Sequence, residues 1–232
     1  MRRTITKTGL ARKQRQHRYS TKYWVDRLID VPAFIIGNSP SLNQIDLSLL
    51  ENYFTIGVNR AFYKIDPTLL IWQDISLWNS EYQKLHNTKA IKVSRDVSDP
   101  RKTYYNFYLK GGPYLFDKTH THELYGRGST GPLAVQLAVA MGCSLIVLVG
   151  IDCTLGKHGE SDFYGYNKHW TETTLSNCLI GLKFIFEECP VQVKSCSKSV
   201  FWKEEKLEDI LHNIDPIHCR SRQSYVAQIL GY

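Results

Sequence analysis

Three polar side chains that could hold a ligand follow short apolar runs in the first third of the chain. Asn38, Asn59 and Asp74 stand just beyond the runs at 34–36, 53–58 and 69–72. Short apolar runs bounded by turn residues are typical of buried β-strands. The carboxyl ends of parallel strands meet at one edge of a sheet, where open α/β proteins bind their ligands. We therefore expect these three side chains to line a common binding edge.

The turn after the first run, Gly37–Ser41, is the strongest candidate for a ligand-binding turn. Its glycine lets the backbone approach a ligand closely, and the N–H groups of a following helix can receive phosphate. The turn matches neither G-x-G-x-x-G nor a Walker loop, so the sequence predicts neither a dinucleotide fold nor a P-loop. An ordinary turn after a first strand is the alternative interpretation.

A second candidate lies at Ser129–Gly131, where a helix is predicted to begin. Ser129 or Thr130 suits the N-cap, and Pro132 suits the first turn. The most apolar run of the chain, 144–149, follows this helix and ends at Gly150-Ile151-Asp152. Such a run predicts a central strand that is buried on both faces.

A loop with glycines and aromatic residues spans 154–166, and a helix is predicted from about Asn167 to Glu188. His169, near the start of this helix, is a candidate general base because the unperturbed pKa of histidine is about 6.5. His158, in the preceding loop, is the second choice, and a surface histidine at a helix start is the alternative interpretation of His169. Tyrosine hydroxyls, Lys168 or helix N–H groups could neutralise charge on a leaving phosphate.

Strands alternate with helices along most of the chain, which predicts an α/β fold. We expect a Rossmann-like, mostly parallel sheet with helices on both faces. The segment at about 99–125 shows no clear period and is interpreted as a lid-like insertion. The sequence thus divides into a basic N-terminal arm, 1–30, and a single Rossmann-like domain, 31–232.

The composition predicts a soluble globular protein. Hydrophobic residues make up 43% of the 232 positions, which is enough for a substantial core. No apolar run approaches the roughly 18 to 20 residues of a membrane span, and no signal-peptide segment follows the basic N-terminus, so we expect a cytoplasmic location. The six cysteines show no C-x-x-C pair and no disulfide-framework spacing, which predicts reduced thiols and no zinc site.

Two histidines in the 99–125 segment are candidate metal ligands. His120 and His122 form the sequence H-T-H, but no carboxylate or cysteine lies at ligand spacing from them. A mobile loop is the other interpretation, and no metal site is predicted.

Basic residues are concentrated at the N-terminus. The first 22 residues contain eight Lys or Arg and no acid. The rest of the chain contains 21 basic and 22 acidic residues and is therefore nearly neutral. Such an arm can neutralise phosphates on nucleic acid or on an anionic membrane, and a solvated, disordered terminus is the alternative. The residues predicted to contact nucleic acid are Arg2, Arg3, Arg12, Lys13, Arg15 and Arg18.

Three blocks of sequence together resemble the family 42 glycosyltransferases, the bacterial sialyltransferases, and their wider Rossmann-like relatives. The first block is Ile36–Leu42 followed by Ile45-Asp46, and the second is Val58–Phe62. The third is Ser129–Gly131, leading through Ala138–Gly142 to Val149–Asp152. The blocks cover about half of the chain, in the order and at the spacing of the family.

The resemblance implies a nucleotide-sugar donor that is held without the Asp-x-Asp metal motif, which this chain lacks. It implies no cofactor, since the nucleotide sugar is itself a co-substrate. Asn38 and Asn59 would contact the phosphate and sugar of the donor, and the Ser129–Gly131 turn would hold the nucleotide. The full donor-binding set is Gly37, Asn38, Ser39, Asn59, Asp74, Ser129, Thr130, Gly131 and Asp152.

The family uses a histidine as general base and two tyrosine hydroxyls at the leaving phosphate. By resemblance, His169 is the histidine nearest to the base position. Thr154 falls where one tyrosine is expected, and Phe163, Tyr164 and Tyr166 compete for the other. The predicted catalytic set is therefore His169, Tyr164 and Tyr166, and the departures concern the sialic-acid donor more than the fold.

These features together predict a metal-independent glycosyltransferase that moves a sugar from a nucleotide-sugar donor to an acceptor hydroxyl. The basic arm suggests an acceptor on nucleic acid, as in phage enzymes that glycosylate modified DNA bases. Two alternatives stay open. One is a pterin-type pyrophosphokinase or other nucleotide-dependent transferase, and the other is a non-catalytic nucleotide- or nucleic-acid-binding module.

Overall fold

Eight strands form one sheet in the computed structural model, which describes residues 20–101, 103–126, 128–165, 171–214 and 230. The order across the sheet is β6-β5-β4-β3-β2-β1-β7-β8, and every pairing of neighbouring strands is parallel. The strands are β1 Pro32–Ile36, β2 Thr55–Val58, β3 Leu69–Trp72, β4 Ile91–Arg95, β5 Tyr105–Lys110, β6 Glu123–Tyr125, β7 Leu145–Val149 and β8 Gln192–Ser195.

Helices cover both faces of this sheet. The four α-helices are α1 Ile75–Asn87, α2 Thr130–Ala140, α3 Glu172–Glu188 and α4 Leu207–His212. Short 3-10 helices occupy Thr21–Trp24, Pro40–Gln44, Leu47–Leu50, Asn59–Tyr63 and Asp96–Ser98. Helices α2 and α3 share a hydrophobic cluster with one set of strand side chains, whereas α1 and α4 pack on the alternate set. The predicted α/β, Rossmann-like, parallel fold is confirmed.

The centre of the sheet is its most apolar part. Every residue of β1 is buried, and β1 lies between β2 and β7. Every residue of α2 is buried as well, because this helix is apolar all round and lies against the middle strands. Side chains of β1 and β7 are therefore packed into hydrophobic clusters on both faces of the sheet.

The segment at about 99–125, interpreted from sequence as a lid-like insertion, contributes two strands to the sheet. β5 pairs with β4, and β6 pairs with β5. Tyr105 and Phe107 are buried while Tyr108 and Lys110 are exposed, as is typical of strands near the edge of a sheet. The tyrosines and the lysine made this alternation of buried and exposed residues hard to recognise in the sequence.

Two boundaries also differ from the prediction. Residues 20–30 were assigned to the basic arm, but Trp24 and Leu28 are each 1% exposed and belong to the main core. Helix α3 begins at Glu172, with Thr171 as its N-cap, and not at about residue 167. No helix among the described residues is long and apolar enough to span a membrane.

Candidate functional site

A cleft of about 290 Å³ opens at the carboxyl edge of the central strands. The turns after β1, β2, β3 and β7 meet the N-termini of α1 and α2 there, and α3 contributes one wall. The predicted donor-binding residues that line this cleft are Gly37, Asn38, Ser39, Asn59, Asp74, Ser129, Thr130 and Gly131. Of the predicted donor-binding set, Asp152 alone lies outside the lining.

A larger hollow of about 1020 Å³ lies elsewhere, between segment 112–118 and α3. Its walls are mainly aromatic and aliphatic, with Tyr114 and Phe116 stacked on Phe184. It contains none of the predicted site residues and lies away from the ends of the central strands. We therefore take the smaller, more polar cleft as the candidate site.

The floor of the cleft depends on a close approach of two backbones. A Cβ atom on Gly37 would lie 2.1 Å from the carbonyl oxygen of Gly150. Gly37 N donates to Val149 O over 2.8 Å, and Ser39 N donates to Gly150 O over 2.9 Å. The glycine at the end of β1 thus lets the chain cross the end of β7 without a gap.

Asn38 lines this cleft, and the two ends of its amide differ in their hydrogen bonding. Its Nδ2 atom donates to Val58 O over 2.9 Å, which fixes the amide plane. Its Oδ1 atom is buried and accepts no hydrogen bond from the described part of the chain. A carbonyl oxygen accepts hydrogen bonds and cannot donate them, so Asn38 suits a sugar or ribose hydroxyl better than a phosphate oxygen.

Asn59 is held by a short chain of hydrogen bonds. Gln73 Nε2 donates to Thr130 Oγ1 over 3.1 Å, and Thr130 Oγ1 donates to Asn59 Oδ1 over 3.3 Å. Asn59 has a φ of +51°, in the left-handed region that asparagine tolerates better than most residues. This chain joins the ends of β2 and β3 to the start of α2 beside the cleft.

The N-terminus of α2 lies at the cleft. Ser129 is the N-cap residue, as the sequence allowed, but its side chain makes no capping hydrogen bond. The first N–H groups of an α-helix have no partner within the helix and carry partial positive charge. The start of α2 can therefore receive an anionic group of a ligand.

Asp152 supports the turn after β1 and does not line the cleft. Ser41 Oγ donates to Asp152 Oδ1 over 2.6 Å, and Asp152 N donates to Ser39 Oγ over 2.9 Å. Burial raises the pKa of the Asp152 carboxyl, while the hydrogen bonds from Ser41 act in the opposite direction. The structure thus places Asp152 behind the ligand-binding turn, where it holds that turn against β7.

Asp74 lies at the rim, at the N-cap position of α1. Its side chain is exposed and makes no capping hydrogen bond. Partial desolvation nevertheless raises the pKa of Asp74, and the charge of Arg95 opposes this effect. A carboxylate with a raised pKa accepts a proton more readily than an ordinary one.

Arg60 and Tyr164 form a charged wall that sequence reasoning recognised only in part. Arg60 Nε lies 3.3 Å from Glu81 Oε1, and its guanidinium lies 5.7 Å from the centre of the Tyr164 ring. Arg60 is the one cationic side chain among the described residues that line the cleft. Arg60 lies within the second sequence block and directly follows the strand-end residue Asn59, but no role was predicted for it.

Tyr164 is placed by the loop that carries it. Phe163 N donates to Asn38 O over 2.7 Å, and Asn43 Nδ2 donates to Phe163 O over 2.9 Å. Desolvation and the neighbouring Asp162 raise the pKa of the Tyr164 hydroxyl, which Arg60 opposes. The hydroxyl therefore stays protonated at neutral pH and can donate a hydrogen bond.

Two cysteines that the sequence did not single out also line the cleft. Cys153 follows β7, and Cys178 lies in α3. They lie 25 positions apart in the sequence, and this spacing gives no sign that both line one cleft.

The remaining predicted residues lie elsewhere. Tyr166 and His169 fall outside the described residues, as do Arg2, Arg3, Arg12, Lys13, Arg15 and Arg18 of the arm. His158 is exposed and does not line the cleft. His120 lies 2.8 Å from Asp117, and the described part of the chain contains no group of three side chains suited to a metal ion.

Comparison with solved structures finds sialyltransferases from Campylobacter jejuni similar to this chain. The sialyltransferase CstII in complex with the substrate analogue CMP-3FNeuAc is 15% identical, with 75% of this chain and 86% of that chain covered and a TM-score of 0.44. CST-II with a trisaccharide acceptor and CMP is 14% identical, with 75% and 85% covered and a TM-score of 0.43. The monofunctional sialyltransferase Cst-I is 14% identical, with 81% and 80% covered and a TM-score of 0.40. No family model and no curated protein matches the sequence.

Proposed function

We propose that this protein is a metal-independent glycosyltransferase that uses a nucleotide-sugar donor. The observation that carries the proposal is the meeting of Asn38, Asn59, Arg60 and the N-terminus of α2 in one cleft at the carboxyl edge of the sheet. A nucleotide sugar combines hydroxyl-rich rings with phosphate. The cleft offers a buried acceptor for hydroxyls and a cation and helix N-terminus for phosphate.

The volume of the cleft indicates that it would hold only part of the donor. Its volume of about 290 Å³ is close to the lower limit of roughly 300 Å³ for small-molecule sites. A phosphate with one adjoining ring fits this volume better than a complete nucleotide sugar. The rest of the donor would lie over the rim, beside Asp74.

The catalytic roles follow from the charges that the reaction develops. Transfer from a nucleotide phosphate leaves negative charge on the leaving group, and a protonated Tyr164 beside Arg60 could stabilise it. Tyr166 is proposed as the second hydroxyl and His169 as the general base, both on the basis of the family resemblance. A base must lie within hydrogen-bond reach of the acceptor hydroxyl.

The donor experiment is a thermal-shift panel of nucleotide sugars, followed by calorimetry with the best of them. Loss of one polar contact in a bound complex costs about 1 to 3 kcal/mol, so Asn38→Ala should weaken donor affinity about tenfold or more. The matched control is Asn213→Ala. Asn213 Nδ2 makes the same kind of bond to a backbone oxygen, at 2.8 Å from Asp209 O, at the far end of α4.

Comparison of Asn38→Ala with Asn213→Ala distinguishes a loss of donor binding from a general loss of stability. Asn213→Ala should bind the donor like the unaltered chain. Equal affinities for all three proteins would remove Asn38 from the site. Release of AMP from ATP, with no shift by any nucleotide sugar, would instead favour the pyrophosphokinase alternative.

Metal independence is proposed because the sequence lacks Asp-x-Asp, while Arg60 and the start of α2 supply positive charge in the cleft. Turnover should therefore survive treatment with EDTA. Loss of activity in EDTA that is restored by Mg²⁺ or Mn²⁺ would contradict this part of the proposal. Asp74 and Asp162, which both line the cleft, would then be the first ligands to test.

An acceptor on nucleic acid, such as a modified DNA base in a phage, is proposed from the eight basic residues before Tyr23. Counterion release contributes a slope of about 0.9 per phosphate contact in a plot of log affinity against log salt. Deleting residues 2–18 should flatten that slope in a gel-shift titration. Absence of DNA binding by the full chain at low salt would contradict this acceptor. A cytoplasmic location would be consistent with a nucleic-acid acceptor.

A further inference from the structure

A chain of hydrogen bonds leads from Arg60, in the wall of the cleft, to the exposed surface of α1. Arg60 Nε donates to Glu81 Oε1 over 3.3 Å, and Tyr63 OH donates to Glu81 Oε2 over 2.6 Å. Lys84 Nζ donates to Tyr63 OH over 2.6 Å and lies 3.5 Å from Glu81 Oε2. One oxygen of Glu81 therefore holds Arg60, and the other is itself held by Tyr63 and Lys84.

The spacing of these four residues follows from the two helices that carry them. Arg60 and Tyr63 are three positions apart in the 3-10 helix Asn59–Tyr63, where three residues make one turn, so both lie on the same face. Glu81 and Lys84 are also three positions apart, on α1, where residues at that spacing are neighbours on the helix surface. The two faces meet, and the carboxylate lies between the phenol and the guanidinium.

Glu81 is ionised in this setting. Burial acts to raise the pKa of Glu81, but its hydrogen bonds from Tyr63 and Arg60, together with nearby positive charge, outweigh this effect and lower the pKa. The side chain of Glu81 is 14% exposed, so water competes little for the carboxylate. Hydrogen bonds between ionised groups are roughly twice as strong as neutral ones. The bond to Glu81 therefore restricts the movement of the Arg60 guanidinium.

Glu81 does not line the cleft, whereas Arg60 does. Arginine has five N–H donors, and the bonds to Glu81 and Ser80 use two of them, so donors remain for a ligand. A long side chain that must become ordered when a ligand binds lowers the affinity. A guanidinium that Glu81 already holds in place would not lower the affinity in this way.

We propose that Glu81 is a positioning residue that holds Arg60 ready to bind the phosphate of a nucleotide. Glu81 acts through Arg60 and does not touch the ligand, and Tyr63 and Lys84 hold Glu81 in turn. This role rests on the proposed function, which supplies the phosphate that Arg60 binds. It extends the binding machinery to a residue of α1 outside the three sequence blocks and outside the lining of the cleft.

The first test is NMR spectroscopy of the arginine Nε–H groups in the full chain without ligand. The Arg60 signal is identified by its absence in Arg60→Ala. Its hydrogen should exchange slowly with water in the unaltered chain, because Glu81 accepts it, and at least severalfold faster in Glu81→Ala. Equal exchange rates in these two proteins would overturn the proposal, whether or not a nucleotide binds.

The matched control is Glu187→Ala. Glu187 is also a helix carboxylate beside a lysine, with Oε1 at 3.7 Å from Lys183 Nζ, but it does not line the cleft. Its replacement should leave the exchange of the Arg60 signal unchanged. Faster exchange in Glu187→Ala as well would show a general loosening of the fold and would overturn the specific role of Glu81.

The second test is calorimetry with cytidine monophosphate and uridine diphosphate as probes, beside cytidine and uridine, which lack phosphate. Glu81→Ala should weaken binding of both nucleotides about two- to tenfold, the cost of ordering one long side chain on binding. Binding of the nucleosides should not change. Glu81→Gln keeps one acceptor oxygen and should lie between Glu81→Ala and the unaltered chain, and Glu187→Ala should bind like the unaltered chain.

A double-mutant cycle separates positioning from a general structural role. Without Arg60, Glu81 has no side chain to position, so Arg60→Ala combined with Glu81→Ala should bind nucleotides like Arg60→Ala alone. Additive losses, or an equal loss of nucleoside binding, would overturn the proposal. Failure of the unaltered chain to bind either nucleotide would instead contradict the proposed function, and the NMR exchange rates would still decide whether Glu81 holds Arg60.

Discussion

His169→Ala is expected to slow sugar transfer by about a hundredfold or more, since a general base contributes about 10² to 10⁴ in rate. Donor affinity should stay unchanged, because the base acts on the acceptor hydroxyl. In the sequence, His169 stands two positions before Thr171, the N-cap residue of α3. In the variant, the acid limb of the pH–rate profile should disappear.

The control for this prediction is His158→Ala. His158 is exposed and does not line the cleft, so its replacement should leave turnover unchanged. Loss of activity in His158→Ala alone would show that the wrong histidine was chosen. If both variants stay active, Asp74 becomes the candidate base, because it lines the cleft and its pKa is raised. Asp152, held by Ser41, is the weaker carboxylate candidate.

Gly37→Ala is expected to destabilise the fold more than any other single-methyl addition at the site. The new Cβ would lie 2.1 Å from Gly150 O and 2.6 Å from a side-chain carbon of Ile151. Backbone atoms of two central strands cannot move apart without loss of their pairing. Overpacking typically costs about 1 to 3 kcal/mol, and we expect a value at or above the upper end.

The measurement is thermal unfolding with and without nucleotide. A loss of about 3 kcal/mol would lower the Tm by roughly 6 to 12 °C in a chain of this size. Gly111→Ala is the matched control, since nothing lies within 4 Å of a Cβ at Gly111 and its φ is not positive. Similar Tm values for the two variants would show that β1 and β7 can separate at this point.

The parallel sheet and one side of the cleft were predictable from sequence. Apolar runs of four to six residues mark buried strands, and in a parallel sheet the polar residue that follows each run must fall at the carboxyl edge. Asn38, Asn59 and Asp74 satisfied this rule and lie in one cleft. Their meeting needs only the direction of the strands, which the alternation of strands and helices already determines.

The other wall of the cleft could not be predicted, because it depends on contacts between distant segments. Arg60 meets Tyr164 across about a hundred positions of sequence, and Cys153 and Cys178 line the same cleft from two different elements. Asp152 lay at a strand end like the other candidates, yet it turned toward Ser41 and became a support for the turn. Side-chain direction at a strand end is decided by tertiary packing, which local sequence does not contain.

The position of β1 between β2 and β7 has a consequence for how the chain folds. Pro32–Ile36 pairs with Leu145–Val149, so each partner residue lies more than 100 positions away. Pairings of such long range form slowly, because the entropy of closing a long loop is lost before any contact stabilises it. During synthesis, strands β1 to β6 can assemble before β7 is made, and one edge of β1 is then unpaired. An uncovered apolar edge invites pairing with other chains. The nascent protein would therefore be most prone to aggregation just before β7 arrives, at the moment that also completes the floor of the cleft.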